Sequence, residues 1–276
     1  MPAISFRPLH ELDYVEIADL FNRCFEGYVV PVHLSPAAAA ERSRRDGIDH
    51  SRSFITLVDE EPVGIALVTP RFDAARLAGM GVVAPARGQG LGRATLTEFL
   101  RRLRADGFRE AILEVFEQNE PALSLYRSAG FVAKQRLFGF RREPVMTRHA
   151  PLLREVPMSA FLTALRDADD LLPFIQTAQQ ASSTTLPARC WTVDGAAFAC
   201  FAPPDAGNAV VVTSFIVKRI MRSCGKGREL VGAIQGAHPH RSIVLPQIFP
   251  EAVAGFFEHV GFQRMELNQF EMRLEL

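Results

Sequence analysis

Between residues 82 and 96 the chain reads VVAPARGQGLGRATL. Gly88, Gly90 and Gly92 put three residues without side chains at what reads as a strand-to-helix turn, between Arg87 and Arg93. Glycine lets a backbone approach a ligand closely. A helix beginning there offers unpaired N–H groups and the positive end of its dipole. Together these make an anion site suited to phosphate, which Arg87 and Arg93 can reinforce. A tight turn that binds nothing needs the same residues, so the turn alone leaves both readings open. Its spacing does discriminate among phosphate binders. Neither Gly88 nor Gly90 begins a G-x-G-x-x-G dinucleotide fingerprint, and no G-x-x-x-x-G-K-[ST] loop of a nucleotide hydrolase occurs.

Further on stands LEVFEQNEPALSLYRSAGF, with Glu114, Glu117, Asn119, Ala122, Tyr126, Gly130 and Phe131. The order RGQGLG, fitting [QR]-x-x-G-x-[GA], then N-x-x-A-x-x-x-Y-x-x-x-G-F resembles the GNAT superfamily of acyl-CoA-dependent N-acyltransferases. The close resemblance covers about residues 4–142. It implies that acetyl-CoA is the co-substrate and that backbone N–H groups of Arg87, Gly88, Gln89, Gly90, Leu91, Gly92 and Arg93 grip its pyrophosphate. Main-chain groups at Val82 and Val83 would pair with the pantetheine arm as an added strand. Asn119 would hydrogen-bond the coenzyme, cap the following helix, or do both. The strand over residues 76–83 should splay from that over 112–116, opening a wedge for the thioester.

The implied chemistry is direct attack of a primary amine on the acyl carbonyl. The amine loses a proton and the departing thiolate gains one. Tyr126 is the candidate acid, because a phenol stays protonated at neutral pH; a ring packed between helix and sheet is the alternative. Glu114 is the candidate base and resembles the glutamate in the LEVR stretch of ribosomal-protein N-terminal acetyltransferases. Glu117 and a water chain are the other options, and strand parity decides whether Glu114 faces the cleft. In FEGYVVPVH, Tyr28 and His33 are candidates for the acceptor pocket, against an ordinary packed loop. Small amines, amino acids, aminoglycosides and protein N-termini all suit such a cleft. A non-catalytic acyl-CoA binding or sensing protein is the alternative function. No metal is expected: proline separates His238 from His240, which favours a turn.

The elements that must position these residues come twice. A strand, the helix LDYVEIADLFNRCF with Val15, Ile17, Leu20, Phe21 and Phe25 on its apolar face, and a helix capped by Ser35 open the chain. Strands SFITLVD and PVGIALVTP follow, joined at Glu60 and Glu61, then RLAGMGVV, where Gly79 and Gly81 suggest a bulge. The glycine turn and its helix, REAILEVFE, EPALSLYRSAG and FVAKQRLFGFRR complete the first half. The second half runs helices over residues 159–181, a hairpin from RCWTVDG and AAFACFAP, NAVVVTSFIV, RSCGKGRELVGAI, RSIVLPQIF, AVAGFFEHVGF and RMELNQFEMRLEL. That ordered correspondence argues for internal duplication. We expect an α/β (α+β) fold of two tandem GNAT-like domains, 1–145 catalytic and 146–276 degenerate. Each is a mixed, mostly antiparallel sheet flanked by helices, with a splayed central strand pair. Arg222, Gly225, Lys226 and Gly227 keep the outline of the turn, but Phe257 stands at the tyrosine position, Pro250 at the asparagine and Leu245 at the glutamate.

Composition narrows the partners. In 276 residues, 31 Lys+Arg balance 31 Asp+Glu, so no bulk charge draws nucleic acid or anionic membrane. The 48% hydrophobic content supports a sizeable core. Four scattered cysteines read as free thiols in a reducing compartment, and no signal or membrane-spanning run is seen, so a cytoplasmic protein is expected.

Overall fold

The computed structural model describes residues 3–146, 150–167, 172–176, 189–202 and 208–276. It divides into two compact units, Met1–Lys134 with Phe270–Leu276, and Gln135–Gln269, where the duplication alone suggested 1–145 and 146–276.

In the first unit, α1 (Tyr14–Cys24) begins at a reciprocal cap. The Asp13 carboxylate accepts from the Val15 and Glu16 amides, and Glu16 reaches back to the Asp13 amide at 2.9 Å. Ile17, Leu20 and Phe21 are buried as expected and Cys24 joins them, but Phe25 is only half-buried and Val15 is 62% exposed. It lies two residues from Ile17, about 200° around the helix, and so points to solvent. Ser35 caps α2 (Pro36–Asp46) by accepting from the Ala38 amide, with Pro36 in the first turn and Gly47 closing the helix at φ +63°.

Strands β1 (Ile4–Pro8), β2 (Phe54–Val58), β3 (Glu61–Arg71) and β4 (Ala74–Val82) pair antiparallel in that order, and β5 (Glu110–Phe116) joins β4 in parallel. The β2–β3 turn is Asp59 and Glu60, both at positive φ as a two-residue primed hairpin requires, so Glu61 belongs to the strand. On one face α3 (Leu91–Ala105) and α4 (Glu120–Ser128) bury Leu96, Phe99, Leu103 and Leu123 against Phe54, Leu77, Leu113 and Val115. On the other, α1 buries Leu20 and Phe21 against Ile55, Leu57, Ile65 and Leu67. The neighbour of β5 comes from the far end of the chain: the last residues of β12 (Gln263–Glu275) bring Met272 fully into this core, and the Leu276 amide bonds Arg109 O at 2.9 Å.

The second unit orders its strands β12, β6 (Val132–Arg142), β11 (Ser242–Pro250), β10 (Ala209–Val217), β9 (Ala197–Phe201), β8 (Arg189–Val193) and β7 (Arg154–Val156). β10 and β11 are parallel, matching β4 and β5. Its helices are α5 (Met158–Arg166), α6 (Lys226–Ala237) and α7 (Ala254–His259). Of the helices expected over 159–181, α5 takes the start and Phe174–Gln176 is one tight turn; residues 168–171 and 177–181 lie outside the described residues. Among the described residues no helix is long and apolar enough to cross a membrane.

Candidate active site

The site is built around a strand that leaves its partner. β3 pairs Val68 with Leu77 and Leu67 with Gly79, so Ala78 is the extra residue of a bulge, adjoining the glycines that suggested one. Arg42 of α2 donates to the Ala78 carbonyl at 2.9 Å. β4 and β5 pair only from Ala74↔Glu110 to Leu77↔Leu113. Arg76 and Leu77, expected to splay, still pair with Ile112 and Leu113; past them the strands part, opening the wedge beside residues 78–82. Val83 does not line it: its amide donates to Val63 O at 2.9 Å, toward β3. Antiparallel alternation therefore turns the Val82 amide toward the wedge.

The wedge ends at the glycine turn. After a tight turn at Ala84–Ala86, Gly88 and Gly90 adopt φ +77° and +82°, and α3 starts without a side-chain cap. A Cβ on either glycine would meet no atom within 4 Å, so their conformation demands glycine and the space in front is open. The Arg87 amide is bonded to Ala84 O, and the first helical bond is Ala94 N–H to Gly90 O at 3.0 Å. Between them, among the described residues, the amides of Gly88, Gln89, Gly90, Leu91, Gly92 and Arg93 have no main-chain acceptor. Six unpaired donors at a helix N-terminus form a cradle for an anion. Gly92 serves packing, since its Cβ position lies 3.5 Å from Leu125 of α4.

The arginines divide. Arg87 is turned away from the cradle: Nε donates to Val82 O at 2.9 Å and Nη2 to Cys24 O and Glu26 O at 3.0 and 2.8 Å. Its guanidinium ties the end of α1 to β4 and does not reinforce phosphate binding as expected. Arg93 is exposed at the head of α3. The Gln89 side chain donates to Pro85 O and firms the turn.

Asn119 caps α4, its side-chain oxygen accepting from the Ala122 amide at 3.3 Å, and it also hydrogen-bonds the Tyr28 phenol. Tyr126 is 7% exposed, its ring 5.9 Å from Phe131 edge-on, within the core under α3 and α4. Burial, with the nearby Tyr28 phenol adding to it, raises the Tyr126 pKa well above the ordinary phenol range. The Tyr28 ring contacts Phe25 and Phe116 at 5.2 and 6.0 Å. Burial raises its pKa too, against the Asn119 hydrogen bond. Tyr28, Asn119, Phe116 and Tyr126 thus come together. His33 is exposed and joins no such group among the described residues.

Strand parity puts Glu114 on the α1/α2 face, opposite Leu113 and Val115. Arg76 Nε and Nη2 both bond Glu114 Oε2, at 2.7 and 2.6 Å, with both side chains under a tenth exposed. Oε1 is buried and has no partner among the described residues. Burial opposes the Arg76 charge, but Glu114, Asp46 and Glu271 outweigh it and raise its pKa. Glu117 sits in the turn after β5 with a partner of its own. Sequence reasoning missed Arg42 and Arg76; the one available signal was an arginine inside the otherwise apolar strand AARLAG.

Residues 14–131 match the acetyltransferase (GNAT) family model. The sequence finds no match among curated proteins. Among solved structures the chain is similar to a GCN5-related N-acetyltransferase from Sphaerobacter thermophilus, with 15% identity, TM-score 0.70 and coverage of 99% of this chain and 95% of that one. It is similar to a putative acetyltransferase from Pyrococcus horikoshii at 16% identity and TM-score 0.66, covering 99% and 89%. A tandem GNAT protein from the clavulanic acid biosynthesis pathway aligns at 14% identity and TM-score 0.64, covering 99% and 98%.

Proposed function

We propose that the first unit, whose residues 14–131 match the GNAT acetyltransferase family model in a chain that shares its fold with a tandem GNAT protein, transfers an acetyl group from acetyl-CoA to a primary amine by direct attack. The observation that carries this is the open cradle of six unpaired amides, residues 88–93, at the end of the β4–β5 wedge. These amides bind the coenzyme pyrophosphate, and the Val82 amide pairs with the pantetheine arm. Asn119 positions Tyr28 beside the thioester, where the Tyr28 ring lines the acceptor cleft.

The amine nitrogen attacks the acyl carbon, the C–N bond forms and the C–S bond breaks. Tyr126, kept protonated by its buried surroundings, donates to the departing sulfur. The proton lost by the amine passes to Glu114 Oε1, the oxygen that Arg76 leaves free. The balanced charge of the chain gives no pull toward nucleic acid, which supports a small-molecule or peptide amine as acceptor.

The test is release of free thiol from acetyl-CoA across a panel of amines, paired with calorimetric titration of acetyl-CoA. Gly90→Val forces a β-branched residue to φ +82° and puts methyls into the cradle, so affinity should fall at least tenfold, about 1.4 kcal/mol. Unchanged affinity removes the cradle from the account. Binding without turnover on any amine leaves a non-catalytic acyl-CoA sensor.

A further inference from the structure

Two of the four cysteines, scattered in the sequence, meet in the second unit. Cys190 of β8 and Cys200 of β9 stand directly opposite each other in the antiparallel register of their hairpin. Directly opposed residues of such a pair have Cα atoms about 4.5 or 5.5 Å apart, and either separation lies within the range that a disulfide spans. The two side chains leave the sheet on one face, and their Sγ atoms are 2.8 Å apart. Closing that gap to a bond of about 2.05 Å asks for less than about 1 Å of movement, shared by two side chains.

The surroundings give the two sulfurs different roles. Met158, at the start of α5, brings its Sδ to 3.8 Å from Cys190 Sγ and accepts from that thiol. The Cys200 S–H is then the donor to Cys190 Sγ. That bond lowers the pKa of Cys190 against its burial, and together with burial it raises that of Cys200. Cys190 is therefore the better nucleophile, and Cys200 is the thiol held ready beside it. Phe161, Leu165, Phe198 and Ile216 enclose the pair, and both thiols are buried. The way in is short. β7, three residues at the end of the strand order, pairs its Val156 with Cys190, and Arg154, Glu155 and Arg189 beside them are exposed. An edge strand of this length frays at a small part of the free energy of global unfolding, and its fraying uncovers Cys190.

We propose that Cys190 and Cys200 form a redox modification site that takes hydrogen peroxide as its oxidant and closes to an intramolecular disulfide. The Cys190 thiolate attacks a peroxide oxygen; the S–O bond forms, the O–O bond breaks, and the departing hydroxide takes up the proton that Cys190 released. Cys190 is then a sulfenic acid. The Cys200 sulfur attacks the Cys190 sulfur; the S–S bond forms, the S–O bond breaks, and the second hydroxide leaves as water with the Cys200 proton. The two thiols give up two electrons, and the peroxide is reduced to two waters. The disulfide joins the arms of the β8–β9 hairpin, which restricts the unfolded chain and stabilises the second unit. This site stands independently of the reaction proposed for the first unit.

The test is treatment of the full chain with hydrogen peroxide, followed by removal of the peroxide, alkylation in urea and mass mapping. A linked pair of peptides carrying Cys190 and Cys200 should appear, lighter by two hydrogens than its free parts, and a dithiol reductant should return both to alkylatable thiols. Cys24 is the internal control: it is buried as the pair is, with no second thiol beside it among the described residues, and it should stay reduced. In Cys200→Ser, dimedone should trap a sulfenic acid on Cys190, because the resolving thiol is gone. In Cys190→Ser, dimedone labelling of Cys200 should be at least about tenfold lower. The urea midpoint of the wild type should rise on oxidation and fall back on reduction. Cys190 and Cys200 still free when Cys224 is fully oxidised, or Cys24 oxidised as fast as the pair, overturns the site. Equal dimedone labelling in the two serine variants overturns the assignment of Cys190 as nucleophile, and an unmoved urea midpoint overturns the stabilising role. The wild-type mapping decides the site whether or not the serine variants fold.

Discussion

Replacing Tyr126 with phenylalanine removes one oxygen from the middle of the proposed mechanism, and the structure predicts three separate readouts. The ring stays: it is 7% exposed, set edge-on to Phe131 and packed in the core under α3 and α4, and phenylalanine has the same shape there. The hydroxyl has no hydrogen-bond partner among the described residues, so its loss should change unfolding free energy by no more than about 1 kcal/mol. Affinity for acetyl-CoA should hold within about twofold, because the amides of residues 88–93 carry the pyrophosphate. Only the hydrogen bond to the departing sulfur disappears, and it forms as charge develops in the transition state. Turnover should therefore fall by roughly 10²–10⁴, or about 2.7–5.5 kcal/mol of barrier. Thiol release gives kcat, calorimetry gives the Kd of acetyl-CoA, and urea unfolding checks the fold. An unchanged kcat refutes the role. So does a loss of kcat matched by an equal loss of affinity, because a group acting only on the leaving sulfur cannot do that.

Arg76→Leu strands Glu114 in the interior and should cost about 3–5 kcal/mol of stability, while adding Glu114→Leu should restore most of it and leave turnover abolished; urea unfolding and thiol release separate the two effects. Deleting residues 270–276 takes away the strand beside β5 and the fully buried Met272, and should abolish acetyl-CoA binding by calorimetry. Cys24 is buried and its pKa is pushed up to about 12, so between pH 9 and about 12 the unfolded chain loses a proton that the folded chain keeps. Its contribution is complete below pH 9 and declines as pH rises through that window; in urea titrations Cys24→Ala should flatten that decline. In the native protein near neutral pH a thiol reagent followed by mass mapping should modify Cys224 first, since Cys24, Cys190 and Cys200 are buried.

Much of the site was legible because its signals are local. Gly88 and Gly90 announce positive φ, Ser35 and Asn119 announce helix starts, and alternating apolar runs announce strands, each within a few residues. The phase of α1 was readable only in part: Val15 is apolar and falls outside the buried stripe all the same. Orientation escaped where two directions suit one sequence. Arg87 can serve a phosphate or three carbonyls, and the carbonyls of Val82, Cys24 and Glu26 hold it. Val82 and Val83 differ only by strand parity, which the bond to Val63 decides.

From its residues alone this chain declares two copies of one plan, a glycine turn able to hold an anion in each, and a phenol in the first copy that the second replaces with Phe257. Those properties follow from backbone conformation and side-chain chemistry, which travel with the residue. Tertiary structure decided which amides stay unpaired, that Arg76 holds Glu114, and that Phe270–Leu276 completes the first unit. Each of these depends on contacts between segments tens to hundreds of residues apart, whose pairing energy is written in no single stretch of the chain.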